Sequence, residues 1–246
     1  MATGHSPLEQ FTIKTLVPLP HLAGFNIDFT NSSLFMALAV IAVSVFLLAG
    51  MRRKAVVPGR WQSLVEMTYE FIAGTVRDNV GQEGRPYFPF IFTLFMFILF
   101  CNLLGMIPYS FTVTSHIIVT FALALLIFIG CTLIAIIKHG PAKFAAFFLP
   151  HGTPWWMAPM MYFIELFSYM ARPVSLSVRL AANMMAGHTM LKVIAGFAIM
   201  LGILGGWAPT ALLVALTGFE IGIAVLQAYI FTVLTCVYLN DALHLH

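Results

Sequence analysis

The order of apolar and polar positions along the chain predicts long helices. Residues 32–50 form an uninterrupted apolar run that stops at Arg52, Arg53 and Lys54. A second run covers 88–108 and closes at Pro108, and a third covers 116–137 and ends before Lys138. A helix needs about 20 apolar residues to cross a hydrocarbon layer of about 30 Å, so each run is long enough. None of the three contains Asp, Glu, Lys or Arg; Asn102 and His116 are their main polar groups. Two longer apolar stretches follow, 159–201 and 209–240, separated by Gly202, Gly205, Gly206 and Pro209, which read as a turn. At 1.5 Å per residue, straight helices over them would be about 64 and about 48 Å long. Both exceed a perpendicular span, so they are expected to tilt steeply, bend or run partly along the interface. Pro173 offers one bend, because it removes a backbone donor from a helix interior.

Residues 61–80 follow another pattern. Trp61, Leu64, Val65, Tyr69, Ile72, Val76 and Val80 recur at helical spacing, while Gln62, Ser63, Glu66, Glu70, Arg77 and Asp78 fill the opposite face. That is an amphipathic helix, expected to lie on the cytoplasmic membrane surface; a helix packed on a partner protein is the alternative.

Composition agrees with the pattern. Of 246 residues, 61% are hydrophobic and 9% charged, against about 25% charged in soluble domains. A water-soluble enzyme, a disordered chain and a fibrous chain are excluded. The fold class is an all-α integral membrane protein, a single membrane domain of five membrane-embedded helices and one amphipathic surface helix. Residues 1–31 lack a basic start followed by an apolar core and contain no Arg, so they resemble neither a signal peptide nor a transit peptide.

The net charge of +3 reports topology, not an affinity for nucleic acid. Arg52, Arg53, Lys54, Arg60, Arg77 and Arg85 lie in 51–87, and Lys138 and Lys143 in 138–158. The loops 108–115 and 202–208 carry no basic residue, and residues 1–31 carry only Lys14. The positive-inside rule places the basic loops in the cytoplasm, with the N-terminus outside and, after five crossings, the C-terminus inside. Cys101, Cys131 and Cys236 lie far apart in apolar runs and read as buried small hydrophobes. Haem would need paired imidazoles at depth, and only His188 sits well inside a span. No Walker-type loop is present, so no cofactor, metal or ATP site is expected.

The candidate chemistry comes from charges inside the apolar stretches, which cost about 2.5–3.5 kcal/mol each on insertion scales and mark function. Glu165, Arg172, Arg179, His188, Lys192 and Glu220 all fall in the last two helices. The first three spans therefore read as scaffold. Glu165, Ser168, Arg172, Ser175, Arg179 and Asn183 follow one another at spacings of three or four, a continuous stripe. His188 lies nine residues beyond Arg179, on the opposite side of a straight helix and about 13–14 Å further along it. Lys192 follows on the His188 side, and on the last helix Glu220 and Gln227 share a face. His188 is expected to meet Glu220 across the helix pair, with Gly218-x-x-x-Gly222 permitting close approach. Glu165 is placed to partner Arg172, and Arg172 and Lys192 to snorkel. Two polar half-paths that do not line up suggest a two-step ion route.

Residues 171–188, ARPVSLSVRLAANMMAGH, resemble the signature of the ATP synthase subunit a family. Residues 219–242, FEIGIAVLQAYIFTVLTCVYLNDA, resemble its C-terminal helix, and NLLGMIPY at 102–109 resembles its second transmembrane segment. The likeness covers about residues 30–242. It implies the proton-channel subunit of an F-type ATP synthase, with two offset half-channels leading to a rotating ring of carboxylate-bearing c subunits. It assigns the essential arginine to Arg179, the asparagine one turn on to Asn183, and the neighbouring glutamine to Gln227. It also assigns cytoplasmic half-channel positions to Glu165 and Ser175, and an exchanged acid–imidazole pair to His188 and Glu220. The implied partners are the c-ring, the b subunits of the peripheral stalk and the lipid bilayer. No small-molecule substrate is implied beyond the proton, and the chain itself is not an enzyme. The implied site is a bacterial inner membrane or, alternatively, the mitochondrial inner membrane. A stand-alone secondary transporter would show two related halves, and no internal repeat is visible; a structural anchor of a respiratory complex would have no use for Arg179 and Glu220.

Overall fold

A computed structural model describes residues 12–13, 15–17, 28–52, 58–107, 110–149 and 154–244. Most of the predicted external segment, together with Lys14, Arg53, Lys54, Pro108 and His246, lies outside the described residues. Among the described residues, eight α-helices follow a small antiparallel ribbon of β1 (Thr15–Val17) and β2 (Phe29–Thr30). They are α1 (Asn31–Met51), α2 (Arg60–Val80), α3 (Phe88–Gly105), α4 (Ile117–His139), α5 (Pro141–Phe147), α6 (Ala158–Met200), α7 (Gly202–Gly205) and α8 (Trp207–Leu243). The protein is an all-α membrane protein. Among the described residues, the stretches 31–51, 60–105, 117–139 and 207–243 are helical, long and apolar enough to cross a bilayer. The 43-residue α6 is less apolar because its polar residues interrupt it. Pro173 sits inside α6 without ending it.

Two compact units divide the residues. The first comprises residues 1–66, 95–116 and 180–229. In it α1 begins at an N-cap, where Ser33 N–H donates to the Thr30 hydroxyl at 3.4 Å. Most of α1 is apolar and unburied; Ser32, Ala39 and Gly50 are its buried residues. Such a surface suits lipid tails, which replace the protein partner a soluble helix would need. Phe46 packs on Trp61 and Phe100 at centroid distances of 6.3 and 5.5 Å.

The second unit comprises 67–94, 117–179 and 230–246. Here α4 buries Thr120, Ala124, Ile127, Cys131 and Ala135, one mostly small-sided face, while Ile118, Leu126, Leu133 and Ile137 point outward. Small residues let helix backbones approach where lipid offers no hydrophobic drive. On α8, Phe231, Thr235, Cys236, Leu239 and Ala242 form a comparable buried face. Lys138 pairs with Glu83, and His139 Nε2 lies 3.1 Å from the Leu243 carbonyl.

The structure corrects several expectations of detail. The apolar side of α2 splits: Ile72, Val76 and Val80 are buried, whereas Trp61, Leu64 and Tyr69 are exposed. The stretch 138–158, expected as a loop, contains α5. The Gly-rich turn holds α7, and α8 starts two residues before the expected boundary, with Pro209 in its first turn, where a missing N–H costs nothing.

Candidate functional site

In the first unit, α6 and α8 bring a histidine and a glutamate together in apolar surroundings. His188 Nδ1 lies 3.6 Å from Glu220 Oε1, and the two residues are 8% and 4% exposed. Gly187 makes room for this. A Cβ there would collide with the Glu220 carboxylate, whose carbon would lie at 2.9 Å and whose Cγ at 3.3 Å. The close approach therefore falls on α6, at Gly187. Gly218 and Gly222 are exposed, with open space where their Cβ atoms would be, so the expected Gly-x-x-x-Gly contact is not used here.

A residue not singled out from the sequence completes the pair. Thr112 Oγ1 lies 3.1 Å from His188 Nε2 and 3.3 Å from the Gly105 carbonyl. That carbonyl has no hydrogen to give, so the threonine hydroxyl donates to it and accepts from the imidazole. Nε2 then carries a hydrogen, and Nδ1 is left facing the carboxyl group. The segment that supplies Thr112 is rich in buried polar groups: Thr114 and Ser115 are also buried, and Ser115 Oγ donates to the Thr112 carbonyl at 2.7 Å. Asn102, fully buried on α3, donates from Nδ2 to the Ala224 carbonyl of α8 at 3.0 Å. Isolated Thr and Ser residues next to a turn carry no sequence signal that distinguishes them from ordinary loop residues.

Both Glu220 oxygens, Asn102 Oδ1 and Thr114 Oγ1 are buried without a hydrogen-bond partner among the described residues. Burying an ionised carboxylate without donors is costly, and the His188 imidazole is the neighbouring group that faces it, at 3.6 Å. Gln227 is buried on α8, two turns after Glu220. Asn183 is exposed on α6, and Lys192 is half-buried.

The second unit holds the other candidates. Arg179 and Ser175 are exposed on α6, as is Ser168, while Glu165 is half-buried. Arg179 makes no ion pair with a described residue. Arg172 does not partner Glu165, as its spacing had suggested. It donates from Nη1 to Asp241 Oδ2 of α8 at 2.8 Å, and its guanidinium carbon lies 5.2 Å from the ring centroids of both Tyr169 and Tyr238. The Tyr169 hydroxyl in turn lies 2.6 Å from that of Thr132 on α4. A guanidinium flanked by two aromatic faces and an acid is a partly buried clamp joining α6 to α8. Tyr169 lies one turn away on α6, but Tyr238 and Asp241 come from α8, 66 and 69 residues away, beyond the reach of helical spacing alone.

Comparison with known proteins agrees with the sequence motifs. A family model described as ATP synthase A chain matches residues 33–240. The chain is similar to the ATP synthase subunit a of Ehrlichia canis (strain Jake), 56% identical over 98% of this chain and 99% of that protein. It is also similar to the ATP synthase subunit a of Wolbachia sp. subsp. Drosophila simulans (strain wRi), 54% identical over 96% of this chain and 98% of that protein.

Proposed function

The chain belongs to the ATP synthase A chain family, and from that premise we propose that it is the proton-conducting stator subunit of an F-type ATP synthase in a bacterial inner membrane. ATP chemistry lies on other subunits in this reading, and this chain is not itself an enzyme. The observation that carries the proposal is Arg179: a permanently charged guanidinium, exposed on α6, with no acidic partner among the described residues. Arginine keeps its charge at any working pH. Leaving it unpaired toward lipid costs several kcal/mol, so a carboxylate on another chain is the expected counter-charge. The carboxylates of a rotating c-ring supply it.

The physics of coupling follows. A ring carboxylate arriving beside Arg179 is favoured in its ionised form, because the guanidinium stabilises the anion. It therefore releases its proton into the exit path, and the fixed cation opposes a proton crossing directly to the entry path. Ser175, Asn183 and Glu165 are the α6 groups proposed to line the way to that carboxylate, with Gln227 supporting from α8. His188 and Glu220 form the proposed relay of the other half-channel, since imidazole exchanges protons near neutral pH. Each proton crossing 100 mV releases about 2.3 kcal/mol, so several must pass for each ATP made. The b subunits of the peripheral stalk hold the chain against rotation in this assembly.

The test is ATP-driven acidification of inverted membrane vesicles, wild type against Arg179→Ala, with assembly checked by pulldown. Loss of pumping in an assembled complex is the expected result. Normal pumping by the variant would make Arg179 a structural residue and remove it from the mechanism.

A further inference from the structure

The turn between α2 and α3 forms a pocket that the proton path does not use. It is a cavity of about 390 Å³, and its polar lining is Arg77, Gln82 and Arg85. Tyr69, Phe88 and Pro89 line its apolar side. All these residues belong to the second unit.

The local sequence builds the pocket. Tyr69, Ala73 and Arg77 lie at successive i+4 positions on one face of α2. Gly81 takes φ +77°, a left-handed conformation that an L side chain resists, and turns the chain back as α2 ends. Residues 81–87 then wind as a 3-10 turn. Gly84 lies against the last turns of α2, where an added Cβ would come within 2.8 Å of Val80 Cβ and 3.0 Å of Val76 Cγ1. These two glycines bring Arg85 to the same cavity as Arg77. On the apolar side, Tyr69 meets Phe88 edge-on at 4.8 Å and lies 5.9 Å from Phe92, and Phe88 stacks on Phe92 at 5.7 Å.

Among the described residues, no acid pairs with either arginine, Arg77 or Arg85. The acid of the same turn, Glu83, is held by Lys138. Two arginines with free forks suit one phosphate, whose oxygens accept the paired N–H groups. The aromatic wall suits the glycerol backbone and the start of an acyl chain, as aromatic residues do at headgroup level. The volume is that of a small-molecule site. Lipid phosphates of the cytoplasmic leaflet meet such juxtamembrane basic pockets.

We propose that the α2–α3 turn is a binding site for the headgroup of an anionic phospholipid, with Arg77 and Arg85 holding its phosphate and Tyr69 and Phe88 covering its apolar edge. This requires the turn to lie at a membrane surface; it does not require the chain to conduct protons.

The experiment uses the intact complex in nanodiscs doped with a photoactivatable phosphatidylglycerol or, in a second arm, the matching phosphatidylcholine. Labelling is mapped by peptide mass spectrometry. Wild type is expected to show phosphatidylglycerol labelling of residues 67–92 in excess of phosphatidylcholine labelling. Arg77→Gln/Arg85→Gln is expected to cut that labelling by about tenfold or more, the loss of one to two charge-assisted contacts. Equal labelling by both lipids, or wild-type labelling in the double variant, overturns the proposal. Competition by millimolar inorganic phosphate also overturns it, by making the pocket a soluble-phosphate site. Should the double variant fail to assemble, the wild type in 1 M salt decides: screening selectively weakens a phosphate–arginine contact, so undiminished labelling there counts against the site.

Discussion

At the scale of single residues, the arrangement around His188 depends on one hydroxyl and one missing side chain. Thr112 accepts the Nε2 hydrogen and so turns Nδ1 toward Glu220. Thr112→Ser retains that acceptor and is expected to keep near-normal proton transport. Thr112→Val keeps the shape, loses the acceptor and strands the imidazole N–H, at a cost of about 1–3 kcal/mol. It is expected to slow transport and to move the pH profile of pumping, which Thr112→Ser leaves in place; acid-pulse measurements on inverted vesicles read both. Gly187 acts by absence. Gly187→Ala pushes on the Glu220 carboxylate, and misplacing a proton-transfer group by a fraction of an ångström is expected to lower transport roughly tenfold or more. Thr112 was not legible because threonine is common and 76 positions separate it from His188; Gly187 falls within the 171–188 motif, but that α8 packs against it could not be read from the sequence. Arg179, His188 and Glu220 were legible, because a charge inside an apolar run is rare for an energetic reason.

At the scale of helices, contacts that spacing suggested and contacts that folding made differ. Arg172 was expected to find Glu165 seven residues away on its own helix, and its partner is Asp241 on α8. A partner on another helix ties two elements together, which a partner on the same helix cannot do. Arg172→Leu is expected to lower the complex's melting temperature, because Asp241 then loses its counter-charge in a partly buried place. The double variant Arg172→Leu/Asp241→Leu is expected to recover part of that loss, since removing both charges also removes the cost of stranding one; thermal-shift measurements of the purified complex compare the two. Small residues give a second contrast. Gly222 faces open space, so Gly222→Ala is expected to leave the level of folded chain in the membrane unchanged, as read by immunoblot of washed membranes. The apolar runs themselves were legible to within a few residues, because bilayer thickness sets the length of a span and the absence of water makes every backbone group bond within its helix. The split face of α2 was not legible, since periodicity shows which residues are apolar and not whether lipid or protein covers them.

At the scale of the molecule, topology is the remaining expectation. From the distribution of Lys and Arg, the N-terminus is expected outside and the C-terminus in the cytoplasm. In a background free of Cys101, Cys131 and Cys236, a cysteine at Thr12 is expected to react with an impermeant maleimide when the label reaches the outer face, and one at His244 only in inverted vesicles. The reverse pattern would reject the assigned orientation. The sequence by itself determined the class of the protein, its long membrane helices, its family and the charged residues proposed as its functional centre, because each rests on composition, on the length of an apolar run or on a local motif. The meeting of His188 with Glu220 was expected from helical geometry; the tertiary structure alone decided how those two are held and which partners the other charges find. It placed His188 beside Glu220 through the gap at Gly187, gave the imidazole its Thr112 partner, paired Arg172 with Asp241 and brought Arg77 and Arg85 to one pocket. Those pairings join residues from different elements, up to 76 positions apart, and helical periodicity fixes only the direction in which a side chain leaves its own helix.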